Sequence, residues 1–212
     1  IAAMEEAIAL RRPDAVFVQV PAPPDLDEAA ILRAIPPAAD VDIMTPACFR
    51  SYMSGASDLP PVTISAALEL LNHHDISVDG LAGVVAAGES PFALMFAEAL
   101  RRRGASVSLL PPAAPAWADA LSAAELVVAA VGRSGVVPTA RLRRGAVVLD
   151  IGYFNEDGRG DVDVGDGAAH LRALMPVPGG VGPMTVSHLV GRVVEYAAAR
   201  LEAPDARDGR AG

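Results

Sequence analysis

The stretch Met175-Pro176-Val177-Pro178-Gly179-Gly180-Val181-Gly182-Pro183-Met184-Thr185 limits this chain more than any other. Each proline fixes φ and removes a hydrogen-bond donor, and each glycine permits positive φ or close backbone approach. The apolar residues between them have neither a helical nor a strand period. Thr185 then opens an amphipathic run, Val186 to Leu201. The pattern predicts a shaped loop that feeds a helix through a Thr185 N-cap. A Pro/Gly loop is often just a tight turn. This one is long, apolar and densely constrained, which suits a surface that packs flat against a ligand.

Upstream, the chain reads as alternating strands and helices. Leu81 to Ala87 is a short apolar run, followed by the turn Gly88-Glu89-Ser90-Pro91. Phe92 to Arg103 has a helical period, with Ser90 placed as N-cap, Pro91 at the first helical position and Gly104 just past the end. Ala105 to Leu110 is the next strand. Strand, glycine turn, helix, strand is the start of a dinucleotide-binding unit. The G-x-G-x-x-G fingerprint itself is absent. Trp117 to Ala123 is expected to be a helix. Leu126 to Val131 is a buried strand ending at Gly132-Arg133-Ser134-Gly135, and Ala146 to Ile151 is another, after a short helix closing over Arg141 to Arg144. Nearer the start, helices are expected up to Arg12, over Asp27–Ile35 and over Ser65–His73, with Ala15 to Val20 a buried parallel strand. The amide of Gln19 interrupts that run and must pair inside the fold or point into a site. Residues 203–212 are polar and read as disordered.

Composition excludes several classes. The chain has 212 residues, 52% hydrophobic and 20% charged, with a net charge of −9. It lacks the clustered cations that phosphate neutralisation requires, which argues against nucleic acid. Its one cysteine, Cys48, permits no intrachain disulfide and no cysteine-based zinc site. The adjacent His73-His74 points two ways on a helix and suits no metal. No apolar run reaches membrane-spanning length, and cytoplasm is the expected location.

PVPGGVGPMT resembles the signature loop of the bifunctional methylenetetrahydrofolate dehydrogenase/cyclohydrolase family (the FolD type). VQVPAPPDLDEAAILRAIPPAADVD and LDIGYFNEDGRGDVDV are similar to further stretches of that family. The resemblance implies a two-lobed α/β fold, with a Rossmann-like dinucleotide-binding domain over residues 63–184. The other lobe would be a partial N-terminal α/β catalytic domain, residues 1–62 joined by the helix 185–202. It implies NADP-dependent oxidation of 5,10-methylenetetrahydrofolate, hydrolysis of the methenyl product to 10-formyltetrahydrofolate, and a homodimer. It places Gln19 beside the catalytic centre and Asp42 on the folate pterin. Pro178, Gly179, Gly180 and Val181 fall along the substrate, and Gly88, Glu89, Ser90, Gly132 and Tyr153 along the cofactor. A pterin presents a ring N–H and an exocyclic amine side by side, and one carboxylate accepts both. Asp40 and Asp42 also read as plain loop or cap residues.

The chain departs from the family pattern at several points. A lysine position is Ala39, a glycine is Ile43, and a proline-rich turn is reduced to Pro61-Val62-Thr63-Ile64-Ser65. Glu89 stands where the family has an arginine for the 2′-phosphate of NADP, and a polar patch falls on Pro111-Pro112-Ala113-Ala114. NAD, or no dinucleotide, are therefore alternatives to NADP, since a carboxylate repels a phosphate and can accept a ribose hydroxyl. A degenerate, non-catalytic paralogue that binds folate is the alternative to an enzyme. The family's catalytic lysine has no match here. The chain opens at Ile1 without a methionine, and we expect a fragment or a trimmed reading frame.

Overall fold

The structure is a computed structural model that describes residues 1–152 and 158–202. Its helices and strands run α1 (Ala2–Arg11), α2 (Glu28–Ala34), α3 (Pro46–Met53), α4 (Val62–His73), β1 (Ala82–Ala86), α5 (Pro91–Arg101), β2 (Ser106–Leu110), α6 (Trp117–Ala123) and β3 (Leu126–Ala129). They continue with β4 (Val137–Pro138), β5 (Val147–Asp150), β6 (Val162–Asp163), β7 (Ala173–Met175) and α7 (Val181–Glu202). Short 3-10 turns lie at Pro37–Ala39, Thr139–Arg141 and Gly165–His170.

The centre is a five-stranded sheet in the order β2-β1-β3-β5-β7, with every pair parallel. The strand sequences AGVVA, LVVA and VVLD are nearly continuous apolar runs, because a parallel sheet is covered on both faces. Alternate residues feed two layers. Val85, Leu126, Val128, Val147 and Leu149 face α4 and α5, where they meet Ile64, Leu71, Met95, Phe96 and Leu100. Val84, Ala86, Val127, Ala129 and Val148 face the opposite layer, with Leu121 of α6, Leu142 and Val162. β4 and β6 form a separate parallel pair. The expected α/β class with a Rossmann-like sheet is what the chain adopts.

α5 starts as its sequence dictates. The Ser90 hydroxyl accepts from the Ala93 N–H at 3.2 Å, and Pro91 takes a position that needs no donor. Gly104 follows at φ +87°, where Asp79 leaves no room for a Cβ.

Three local expectations need correction, and one helix was not expected. Ala15–Val20 is not a buried strand. Only Val16 makes a bridge, parallel to Asp40, while Phe17 and Gln19 are exposed. A continuous apolar run becomes a central strand only with neighbours on both sides, and among the described residues only Ala39–Val41 lies beside it, bonded at Val16 alone. Arg141–Arg144 does not close an α-helix. Pro138 and the Thr139 hydroxyl, donated to the Val164 carbonyl at 2.6 Å, fix a 3-10 turn that ends at Arg141. Thr185 is not an N-cap. α7 begins at Val181, and the Thr185 hydroxyl donates to the Val181 carbonyl at 3.0 Å. Pro183 is tolerated because first-turn N–H groups have no helical partner to lose. The sequence reading also omits α3, although Thr45 caps it by accepting from the Cys48 N–H and Pro46 opens it.

α7 packs along α4 and returns to the N-terminal residues. Arg192, 5% exposed, donates to the carbonyls of Val41 and Pro60 and to the Ser65 hydroxyl, all within 3.0 Å. Tyr196 donates to the Asp40 carbonyl at 3.3 Å, and Arg200 pairs with Asp14 at 3.1 Å. No helix among the described residues is long and apolar enough to cross a membrane.

Candidate functional site

The strand order creates one crevice by topology. From β1 the chain passes to β2 on one side, and β3 then lies on the other side of β1. Ligands of open α/β sheets bind at such a reversal, beyond the carboxyl ends of the strands. The turn after β1 carries Gly88, Glu89 and Ser90, and the turn after β3 carries Gly132. These four residues, separated by more than forty positions, are thus brought to the two lips of one crevice.

Two glycines there are not required by packing. A Cβ built on Gly88 or on Gly132 would meet no atom within 4 Å. Open space above backbone at a strand-to-helix turn is what close approach of a pyrophosphate needs. Gly152 and Gly160 are different. A Cβ on the first would strike the Asp161 carboxylate, and on the second the Asp150 carboxylate. Gly88 and Gly132 therefore leave room at both lips for the phosphates of a dinucleotide.

The floor of the crevice is held by two buried acids, Asp150 and Asp161. The Asp161 carboxylate accepts from three successive backbone N–H groups, Val131, Gly132 at 3.1 Å and Arg133 at 2.7 Å. Gly132 is held at φ +74°. Behind it, the Asp150 carboxylate accepts from the N–H groups of Asp161 and Val162. Burial pushes Asp150 up to about 6, against those two hydrogen bonds, and the nearby Asp161 charge raises it further. The turn after β3 is thus clamped from below. Tyr153, expected near the nicotinamide, lies outside the described residues, as does the tail 203–212.

The Pro/Gly loop follows β7, at the far side of the same sheet end. The Val177–Pro178 bond is cis, and Gly179 sits at φ +98°. The Gly180 N–H donates to the Pro176 carbonyl at 2.8 Å. A Cβ on Gly180 would stand 2.5 Å from that oxygen and 2.8 Å from the Met175 carbonyl carbon. Pro178 and Gly179 are exposed, whereas Val181 is buried and begins α7.

A second constellation lies where α7 meets the N-terminal residues. Asp42 accepts from the Val62 N–H at 2.9 Å through Oδ1. Burial raises its pKa to about 6. The Val62 hydrogen bond opposes this, the Asp40 charge adds to it, and Arg192 opposes it. Asp40 is fully buried and accepts from the Thr45 N–H at 2.8 Å. Of the two acids, Asp40 is consumed by structure and Asp42 keeps an oxygen for which no second partner is seen among the described residues. Sequence reasoning missed Arg192 and Tyr196. Their i, i+4 spacing on the amphipathic run was a signal that they share one helix face. Gln19 stands apart. It is exposed, and its amide donates to the Val20 carbonyl at 3.1 Å.

Residues 61–201 match the family model described as tetrahydrofolate dehydrogenase/cyclohydrolase, NAD(P)-binding domain. The bifunctional protein FolD of Magnetococcus marinus is 37% identical over 189 residues, covering 86% of this chain and 65% of that protein. That of Lactobacillus delbrueckii subsp. bulgaricus is 33% identical over 182 residues, covering 85% and 64%. The chain therefore spans slightly under two thirds of the length of these relatives. Among solved structures, Trypanosoma brucei methylenetetrahydrofolate dehydrogenase-cyclohydrolase, complexed with NADP cofactor and inhibitor, superposes with a TM-score of 0.84 at 30% identity. That superposition covers 95% of this chain and 74% of the other. The bifunctional enzyme from Campylobacter jejuni gives 0.81 at 27% identity, covering 92% and 73%.

Proposed function

The chain belongs to the tetrahydrofolate dehydrogenase/cyclohydrolase family, and from that membership we propose that it serves one-carbon folate chemistry as an enzyme. The reaction is oxidation of 5,10-methylenetetrahydrofolate to 5,10-methenyltetrahydrofolate, followed by hydrolysis to 10-formyltetrahydrofolate. The observation that carries the reading is the pair of open glycines, Gly88 and Gly132, on the lips of the switch-point crevice. A nicotinamide dinucleotide bound there accepts the hydride; NADP is the form in the Trypanosoma brucei structure.

The residues of this chain hold and orient. Gly88 and Ser90 open the N-terminus of α5, whose amides favour an anion. Gly132, fixed by Asp161, keeps the opposite lip in place. Asp42, mostly ionised at neutral pH, offers a carboxylate oxygen to the paired N–H groups of a pterin. Pro178, Gly179, Gly180 and Val181 form the wall against which the substrate lies. Gln19, as a residue beside the catalytic centre, and Tyr153, as a cofactor neighbour, belong to this proposal through the family resemblance alone. The division into a 63–184 dinucleotide domain and a 1–62 substrate domain closed by α7 is part of the same reading. So are the cytoplasmic location and the homodimer.

All 17 basic residues are arginine. This sequence therefore supplies no lysine for the proton transfer of the hydrolytic step. Dehydrogenation and hydrolysis should be assayed separately, by reduced nicotinamide formation and by loss of methenyl absorbance. Dinucleotide reduction dependent on methylenetetrahydrofolate is the expected result. Binding of neither folate nor dinucleotide would refute the proposal.

A further inference from the structure

We infer that Glu89 sets cofactor choice, so that the crevice prefers the dinucleotide whose adenosine ribose keeps a free 2′-hydroxyl. This rests on the dinucleotide reading above. In doubly wound sheets, the group that meets the ribose 2′ position comes from about 20 residues beyond the glycine turn, at the end of β2. An acid there binds the hydroxyl, and an arginine accommodates a phosphate. Here that position falls at Leu109–Pro111, and Pro111 to Ala116 carry no charged side chain.

The turn after β1 abuts the same place. The Ala87 N–H donates to the carbonyl of Leu110, the last residue of β2, at 3.1 Å. Two residues on, Glu89 is exposed at the mouth of the crevice. Across Ala87–Pro91 and Pro111–Ala116 it is the one charged side chain, and neither segment contains Arg or His. The Ser90 hydroxyl beside it is already committed to the Ala93 N–H. The 2′ position thus meets a carboxylate with no neighbouring cation in those segments.

The consequence is electrostatic. A phosphate monoester carries a charge of about −1.5 to −2 near neutral pH. Placed within about 8 Å of a carboxylate, it is repelled with little screening at physiological salt. A 2′-hydroxyl instead donates a hydrogen bond to the same carboxylate.

The test is fluorescence titration of the whole chain with NADH and with NADPH, for wild type, Glu89→Gln and Glu89→Arg. Glu89 is exposed, so neither change disturbs the core. Wild type is expected to bind NADH about tenfold more tightly than NADPH. The gap should narrow in Glu89→Gln and at high salt, and reverse in Glu89→Arg. Equal or tighter NADPH binding by wild type overturns the inference and leaves the dinucleotide reading standing, as does a gap unchanged by both substitutions. Binding of neither nucleotide overturns the dinucleotide reading as well.

Discussion

At the scale of single residues, backbone geometry and burial decide the outcome. Gly180 has no room for a methyl group, because the atoms in the way are backbone atoms of Met175 and Pro176. Gly180→Ala should destabilise the protein by about 1–3 kcal/mol, as overpacking does, and should weaken binding of a folate analogue. Urea denaturation and a binding titration check the two effects. Asp42 gives a pH dependence. Its folded pKa of about 6 means that it takes up a proton as pH falls through that value and loses an acceptor. Folate-analogue affinity should therefore fall by up to about tenfold per pH unit below 6. Asp42→Asn should bind weakly at every pH, with a flatter profile. The stability effect has the opposite sense. A carboxylate raised by burial costs stability while ionised, so its cost is fully present above about pH 6 and is relieved as pH falls toward its ordinary value. At Ile43, which sits at φ +60° beside Asp42, a buried β-branched residue adopts a conformation that glycine takes freely. The position had been legible as a missing glycine. Its backbone conformation had not.

At the scale of elements, α7 ties the N-terminal residues to α4 through Arg192. Of three hydrogen bonds from one buried guanidinium, two satisfy the carbonyls of Val41 and Pro60 and the third goes to the Ser65 hydroxyl. Arg192→Ala should cost about 3 kcal/mol or more. Arg192→Lys should recover only part of this, since an ammonium cannot span the same fork. Thermal denaturation of the two variants measures the difference. β1, β2, β3, β5, α5 and α6 were legible in the sequence because period, length and caps agreed there. The capped start of α5 is the clearest instance. Ala15–Val20 misled because its composition is that of a covered strand, while only Val16 finds a partner. The start of α7 was hidden because glycine and proline read as breakers, yet the first helical turn is where they are tolerated. Arg192 and Asp161 were hidden for another reason. Their partners lie 127 to 151 and 28 to 30 positions away, a distance at which sequence spacing carries no information.

At the scale of the whole molecule, the sheet order positions the site. Gly88 and Gly132 come to the same end of the sheet only because β1 and β3 lie side by side and are parallel. Asp161 must reach back from beyond β5 to fix the second lip, and Asp150 must fix Asp161. Asp161→Ala would free three N–H groups at once, and it should lower dinucleotide affinity more than it lowers folate affinity. Parallel titrations with the two ligands test that order. The most direct test of the central claim is hydrogen–deuterium exchange of the whole chain with and without NAD and NADP. Saturable binding at one site per chain is expected, with slowed exchange at 87–93 and 131–135. Protection confined to other segments, or no change at any dinucleotide concentration, would contradict the assignment of the crevice.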